Sequence, residues 1–500
     1  LKQIVSHFQK APYFLLLIPV YYLLYLVEDY HPLFTYRHLL ELASLFFVFT
    51  GILCFAFCTW FRPKGRDYSV AFAVVFIIYL YFDPIRDSVK SIFPSLAKYS
   101  VLLPVLLVLL FALFRQCSRM QGKSPRLYLY FNTLMAILTL LTVFQVGNAN
   151  LQKQKVLLPA WLDAGDSMKM RPDIYYIVFD GYSASRTLKE HWGYDNSGID
   201  TFLRAKGYYN ANLSTSNYNF TPLSIGSILN LDYYKKIETD TINFRMFWTA
   251  ARDIRHTVLP SFLAKHGYRI VNHSIFELEG ENKPPMDFSY LNDRRKLIFA
   301  KTLSYCMIDD LGWNFNLPDW LVKIHRKTNK ELLDIMETDL EKLVKNYSSV
   351  KATSARRFSE PVFVYGHFVL PHDPYYFDSL SNVFPKKEWM VFDGREKATR
   401  YLQQVKHTNT WIRDLSTTLV HDAKRPRVII FQSDHGYRSF IEKKDSCLEF
   451  NNLTAVYFPD GDYKYLYDSI SAVNTFRVVL KKYFKEEIPL LKDSAVYLRH

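Results

Sequence analysis

Three short stretches place chemistry-bearing side chains at the ends of apolar runs. Val428-Ile429-Ile430-Phe431 follows Pro426 and ends in Gln432-Ser433-Asp434-His435-Gly436. It reads as a buried parallel strand, and in open α/β sheets ligands bind beyond the carboxyl ends of such strands. A carboxylate and an imidazole there can share one divalent cation, while Gly436 lets the backbone turn away. The same residues also make an ordinary Asp-His-Gly turn without metal, so other strand ends must decide. Asp173–Phe179 repeats the pattern and finishes in Asp180-Gly181. A lone strand-end Asp more often caps or turns the chain. Two such carboxylates on one sheet are what a divalent cation needs to offset its charge. A third strand, from Pro361, runs through His367 into Pro371-His372-Asp373-Pro374. Each histidine alone reads as structural. Beside Asp180 and Asp434, the two read as groups that hold an anionic substrate, protonate its leaving oxygen or bind a second metal.

Thr221 is the candidate nucleophile. Ser216–Leu229 is rich in small residues and has an apolar i, i+3, i+4 rhythm, which predicts a helix starting at or near Thr221. Thr221 suits its N-cap and Pro222 its first position. The cap does not exclude chemistry: a helix N-terminus attracts anions, and a hydroxyl touching a metal there becomes a stronger nucleophile. Arg438, just past Gly436, reads either as a solvated surface residue or as a group reaching an anionic substrate.

Other elements must hold these groups in place. Helices are predicted over 196–206, over 245–267 with a break at Pro260, over 397–420 and over 471–484. Thr328-x-x-Glu331 is a capping box opening an amphipathic helix to about Asn346, with Met336, Leu340 and Leu343 as its core face. Strands are predicted over 207–213, 268–271 and 453–458. His407 reads as a surface or packing residue.

The first 147 residues are of another kind. Five apolar runs, Ala11–Val27, Leu42–Phe61, Tyr68–Phe82, Tyr99–Phe114 and Leu127–Val146, predict membrane spans. The loops after the second and fourth carry Arg62, Lys64 and Arg66, then Arg115, Arg119, Lys123 and Arg126. By the positive-inside rule they face the cytoplasm, so everything after Val146 lies outside it. Residues 1–147 are then a transmembrane domain, 148–170 a connector, and 171–500 an extracytoplasmic catalytic domain. The net charge of +14 divides evenly at residue 150. The outer part's excess is a mild bias toward anionic partners, and no basic tract argues for nucleic acid. Cys306 and Cys447 are the two cysteines expected outside the cytoplasm, and they could pair in an oxidising compartment. Asn-x-Ser/Thr triplets begin at Asn212, Asn219, Asn272, Asn346 and Asn452, and the one at Asn219 overlaps Thr221; they read as chance.

Taken together, Asp180-Gly181, the Thr221 segment, His367 to Asp373 and Ser433-Asp434-His435-Gly436 resemble the alkaline phosphatase/sulfatase superfamily. The plan of the chain is similar to its membrane-anchored branch, the lipoteichoic acid synthase-like and phosphoethanolamine transferase-like proteins. The resemblance implies five spans followed by an α/β domain with a mostly parallel central sheet. It implies that Asp180, Thr221, Asp434 and His435 bind one metal, with Thr221 as nucleophile, and that His367 and His372 contact the substrate phosphate or leaving group. Asp373 and Arg438 are further candidates for binding substrate. Mostly oxygen ligands with one imidazole suit Zn²⁺ or Mn²⁺, and a second metal is conceivable. There are two departures. Those enzymes typically have Glu where Asp180 stands. Thr221-Pro222-Leu223-Ser224-Ile225 lacks the Cys/Ser-x-Pro-x-Arg from which sulfatases make formylglycine.

The expected activity is transfer of a phosphoglycerol or phosphoethanolamine head group from a plasma (inner) membrane phospholipid to a glycan or polyol acceptor, through phosphothreonine. An extracytoplasmic phosphodiesterase or phosphatase using water is the alternative. A non-catalytic envelope scaffold is the second.

Overall fold

The structure is a computed structural model that describes residues 2–30, 44, 67–119, 125–151, 156, 158–159, 162, 171–235, 237, 239–242, 244–279, 299–311, 328–421, 425–440, 442–484 and 488–499. The expected span Leu42–Phe61 and most of the connector lie outside these residues. Backbone contacts divide the chain into two units. One comprises Leu1–Lys153 and Leu291–Glu331, the other Gln154–Tyr290 and Leu332–His500. In this division the chain passes from the α/β unit to the helical unit and back.

The first unit is helical: Lys2–Phe8, Phe14–Tyr30, Ser69–Leu80, Phe82–Ile92, Tyr99–Arg119, Pro125–Leu151 and the returning Leu303–Leu311. Among the described residues two helices, Tyr99–Arg119 and Pro125–Gly147, are long and apolar enough to cross a membrane. The count is three if Ser69–Leu80 and Phe82–Ile92, bent by 77° at Tyr81, form one span. Buried Asn132 ties the unit together. Its Oδ1 accepts from Phe14 N at 2.7 Å, and its Nδ2 donates to the carbonyls of Phe8 and Ala11 at 2.8 Å each. A polar side chain is tolerated among apolar helices when its donors and acceptor are all engaged. Leu303–Leu311 is held by Arg86 on Asp310 at 2.5 Å, Tyr99 OH on Asp310 at 2.6 Å and Tyr79 OH beside Ser304 Oγ at 2.8 Å.

The second unit is built on a six-stranded sheet of order β2-β6-β5-β1-β4-β3. The strands are β1 (Asp173–Phe179), β2 (Tyr209–Asn210), β3 (Arg269–His273), β4 (Val362–Phe368), β5 (Arg427–Gln432) and β6 (Thr454–Tyr457). β3, β4, β1 and β5 run parallel, β6 is antiparallel to β5, and β2 is antiparallel to β6. The sheet is therefore mixed, with β6 as its reversed strand. Central β1, β4 and β5 are apolar and almost wholly buried, as strands covered on both faces must be. Tyr175, Ile177 and Phe179 face a core shared with helices Asn329–Ala355 and Gly394–His421, including Leu343, Val350, Ile412 and Leu415. On the other face Tyr176 stacks on Tyr365 and meets Phe476 of helix Ala472–Tyr483.

Buried Arg427, at the start of β5, donates to Leu419 O and Ser354 O, the last turns of two covering helices. A cation suits the negative end of a helix. The capping box holds: Thr328 N donates to Glu331 Oε2 at 2.8 Å and Glu331 N to Thr328 Oγ1 at 3.3 Å. Its helix runs past the expected end to Ala355. The expected break at Pro260 falls instead at 254–257, because Pro260 occupies the first turn of helix Val258–Lys265, where a missing N–H costs nothing.

Candidate active site

Strand register brings the site together. Val178 lies opposite His367 on one side and Gln432 on the other. Asp180 and Asp434 are each two residues further along, so both emerge at the carboxyl edge at one level. Gly181, at φ +71°, turns the chain off β1 and donates its N–H to Asp434 Oδ1 at 3.1 Å. Gly436 performs the turn after β5 under tighter constraint. A Cβ there would lie 2.7 Å from Asn451 O and 3.0 Å from Leu448 O.

Thr221 opens helix Thr221–Asn230, but as its first residue. Extended Phe220 precedes it at the N-cap without a side-chain cap bond. The expected cap role is thus displaced by one residue. The hydroxyl points elsewhere: Thr221 Oγ1 is 3.3 Å from His435 Nε2. Three residues on, Ser224 Oγ donates to Asp434 O at 2.6 Å and locks the helix to the loop after β5.

His435 Nδ1 bonds Gly436 O at 2.6 Å. A carbonyl only accepts, so Nδ1 carries the proton and Nε2 has the lone pair. Burial pushes the imidazole's pKa down to about 4, against the opposing pull of Asp434 and Asp180, so the ring is neutral. Its Nε2 faces Asp180 Oδ1 at 3.5 Å and Asp434 Oδ2 at 3.4 Å. Both of those buried carboxylate oxygens lack a hydrogen-bond partner among the described residues. Burial alone would raise the Asp180 pKa, but His372, His367 and His435 together hold it below the usual carboxylate range. Two acceptor oxygens, an imidazole lone pair and a hydroxyl oxygen thus converge with no proton donor to satisfy the carboxylates. Buried charges of this kind are paired or coordinate metals, and the set fits a divalent cation.

His367 stands on the other side of Asp180. Its Nε2 is 3.3 Å from Asp180 Oδ2 and its Nδ1 3.0 Å from Tyr365 OH. Asp180, His367 and Asp434 form one group whose potential ligand atoms lie within 4.8 Å of one another, and Asp180, His372 and His435 form another. His372 is half-buried on the wall of a cavity of about 320 Å³, with Asp373, Tyr375, Tyr437, Arg438 and Ser439. Burial disfavours its imidazolium, but Asp373 and Asp180 outweigh burial and raise its pKa to about 9, with Arg438 opposing. Arg438 Nη2 is 2.8 Å from His372 Nε2, and its Nη1 donates to Asn219 O at 3.2 Å. Neutral, the histidine accepts from Arg438. Charged, it leaves two donors facing one another, an arrangement that an anionic oxygen shared between them relieves.

All eight side chains singled out in the sequence lie in this region: Asp180, Thr221, His367, Asp434 and His435 buried within it, and His372, Asp373 and Arg438 at the cavity. Tyr365 and Ser224 were missed. Each was within reach of periodicity, Tyr365 two residues before His367 on one strand face and Ser224 one helical turn after Thr221.

The family model for sulfatases matches residues 172–477. The chain belongs to the sulfatase family. It is thereby part of the alkaline phosphatase/sulfatase superfamily, whose sulfatase members are enzymes that use divalent metal. No curated protein matches it significantly. Among solved structures, it is similar to the C-terminal periplasmic domain of EcEptC from Escherichia coli in complex with Zn. That likeness has a TM-score of 0.40 and 10% identity, over 69% of this chain and 94% of that one. The periplasmic domain of phosphoethanolamine transferase EptC from Campylobacter jejuni gives 0.34 and 13%, over 66% and 94%. The phosphonate monoester hydrolase of Agrobacterium radiobacter gives 0.37 and 10%, over 63% and 74%. Among the described residues Cys117, Cys306 and Cys447 are free thiols.

Proposed function

We propose that this chain is a multi-pass protein of the plasma (inner) membrane, with five spans and an extracytoplasmic catalytic domain. It transfers a phospho-head group, of the phosphoglycerol or phosphoethanolamine type, from a membrane phospholipid to a glycan or polyol acceptor. The observation that carries this reading is the Thr221 hydroxyl at 3.3 Å from His435 Nε2, beside two carboxylate oxygens without partners among the described residues. Asp180, Thr221, Asp434 and His435 would hold one Zn²⁺ or Mn²⁺, and His367 or His372 could contribute to a second. Such a cation, when bound, stabilises negative charge on a coordinated oxygen.

The chain's own groups supply the rest. The Thr221 hydroxyl releases its proton to solvent, to be regained when Thr221 is freed, and its oxygen forms a bond to phosphorus as the bond from phosphorus to the lipid alcohol breaks. His372, on the cavity wall, is placed to give the leaving diacylglycerol oxygen its proton. Arg438 holds the phosphate oxygens in the cavity. An acceptor hydroxyl then attacks phosphorus, loses its proton to the same histidine and frees Thr221. His367, buried and held by Tyr365, orients Asp180. Because Thr221 cannot become formylglycine, the threonine hydroxyl itself supports phosphoryl rather than sulfuryl chemistry. Transfer to water is the alternative reading, favoured by the partial exposure of His372 and Asp373 to solvent (21% and 54%).

Intact-mass analysis of the full-length protein incubated with phosphatidylglycerol or phosphatidylethanolamine tests this. A head-group phosphate adduct, mapped to Thr221 and absent from Thr221→Ala, is the expected result. No adduct and no turnover with either lipid would overturn it in favour of a scaffold. Release of free head-group phosphate without acceptor would assign hydrolysis.

A further inference from the structure

The bent helix pair of the first unit has a use that a simple span does not explain. Ser69–Leu80 has 12 residues, about 18 Å of helix, and needs its flanking residues to cross the ~30 Å hydrocarbon core. It runs antiparallel to Tyr99–Arg119. Tyr68 and Phe72 meet Phe114, with ring centroids 5.8 and 5.3 Å apart, and Phe82 stacks on Tyr99 at 5.9 Å. The bend at Tyr81 is therefore level with Tyr99, where the 21-residue membrane-crossing helix begins. A turn of 77° at that level sends Phe82–Ile92 across the membrane normal rather than along it.

The composition of this second helix suits such a position. Its inner side, with Phe82 and Val89, packs on Tyr99, Leu102 and Cys306. Its polar residues engage the returning segment: Arg86 pairs with Asp310, and Asp83 N bonds Lys301 O at 3.1 Å. Its far end leaves Ile92, Phe93 and Leu96 exposed at 69%, 58% and 45%. Exposed Lys90 and Lys98 flank them. This apolar tip stops three residues before Tyr99, and it continues into the exposed apolar face of Tyr99–Arg119 formed by Val105, Leu107, Val108 and Phe111. If that face meets acyl chains, the tip beside it lies at the bilayer boundary.

We infer that Phe82–Ile92 and the turn 93–98 form an interfacial anchor lying in the bilayer surface. Ile92, Phe93 and Leu96 enter the outermost acyl region, and Lys90 and Lys98 lie at the level of the lipid phosphates. An in-plane helix with apolar residues below and lysines above is a common interfacial design. The occupant of the patch is thus lipid, rather than another protein. The anchor is also the surface on which Leu303–Leu311 docks, so a segment returning from the α/β part of the sequence is held at the membrane face.

Fluorescence quenching in vesicles tests this with the full-length protein. Phe93→Trp and Ile92→Trp are each compared with wild type in phosphatidylcholine vesicles carrying bromine either near the head-group end of the acyl chain or near its terminus. Leu107→Trp is the mid-span reference, and Leu380→Trp, at a position 81% exposed in the α/β unit, is the aqueous reference. The added emission of Phe93→Trp and Ile92→Trp should be quenched several-fold more by shallow than by deep bromine and should be shielded from iodide. Quenching by iodide but not lipid would overturn the inference, and so would quenching by neither, which would indicate a protein partner. Loss of lipid quenching in Leu107→Trp as well would remove the span on which the inference rests. Its loss at positions 92 and 93 alone would remove only the anchor.

Discussion

The Thr221 hydroxyl faces the lone pair of His435 across 3.3 Å, although 214 residues separate them in the chain. One comes from the first residue of a helix and the other from the loop after a central strand. The contact is what makes Thr221 a candidate nucleophile rather than a helix cap. Thr221→Ala should lower turnover by at least about 10³-fold while leaving the fold intact, as loss of a nucleophile does elsewhere. Thr221→Ser should keep a measurable fraction and still form the adduct. Steady-state rates with labelled lipid, alongside intact mass, check both.

Asp180 Oδ1 and Asp434 Oδ2 have no hydrogen-bond partners among the described residues. Asp434→Asn should weaken divalent-metal binding by at least about 100-fold, since even outer partners of metal ligands cost 10–100-fold. Tyr365→Phe, which removes only the group orienting His367, should cost nearer tenfold by the same argument. Metal content by elemental analysis after graded chelator dialysis gives both values without any assay of activity.

Gly436 has backbone oxygens where a side chain would go. Gly436→Ala cannot relieve its contacts by moving a flexible side chain, so the loop itself must shift. A loss of about 1–3 kcal/mol is expected, accompanied by weaker metal binding because His435 is the adjacent residue. Thermal unfolding with and without added metal separates the two effects.

His407 is buried and stacks on Phe377 at 3.8 Å, and neither ring nitrogen has a partner among the described residues. Burial lowers its pKa from 6.5 to about 4, with Asp378 opposing. Between those values the unfolded chain takes up a proton that the folded one refuses. Stability is therefore full above pH 6.5 and falls as the pH drops toward 4. His407→Phe should remove this loss. Its stability relative to wild type should rise by on the order of 2 kcal/mol between pH 7.5 and pH 5. Melting curves of the detergent-solubilised protein across that range check the sign.

Asn132 makes three hydrogen bonds inside the helical unit. Asn132→Leu strands Phe14 N and the carbonyls of Phe8 and Ala11, and should cost about 1–3 kcal/mol. The measurement is unfolding in mixed micelles of rising denaturing-detergent fraction. An unchanged midpoint would show that water reaches those groups.

The candidate residues were legible in the sequence because Asp180 and Asp434-His435 each end a buried apolar run, and the pattern recurs. That they share one level was not legible, since the alignment of Val178 with His367 and Gln432 is a long-range pairing. The antiparallel edge was hidden for a related reason: Thr454–Tyr457 is four residues long, and a short apolar run carries no sign of direction. Tyr68–Phe82 reads as one span, but Asp83-Pro84 follow at once, and the helix turns at Tyr81. Leu303–Leu311 carries Asp309 and Asp310, and nothing in its own residues marks it for the helical unit. Its docking among membrane helices depends on Arg86 and Tyr99, more than 200 residues earlier.

The sheet's middle is assembled out of chain order, with β1 flanked by β4 and β5. A growing polypeptide therefore possesses Asp180 long before it possesses Asp434. Until the last of the three strands is made, there is nothing for the cation to settle between, so a stalled or prematurely ended chain is chemically silent. The order of synthesis itself thus acts as a safety catch on the enzyme.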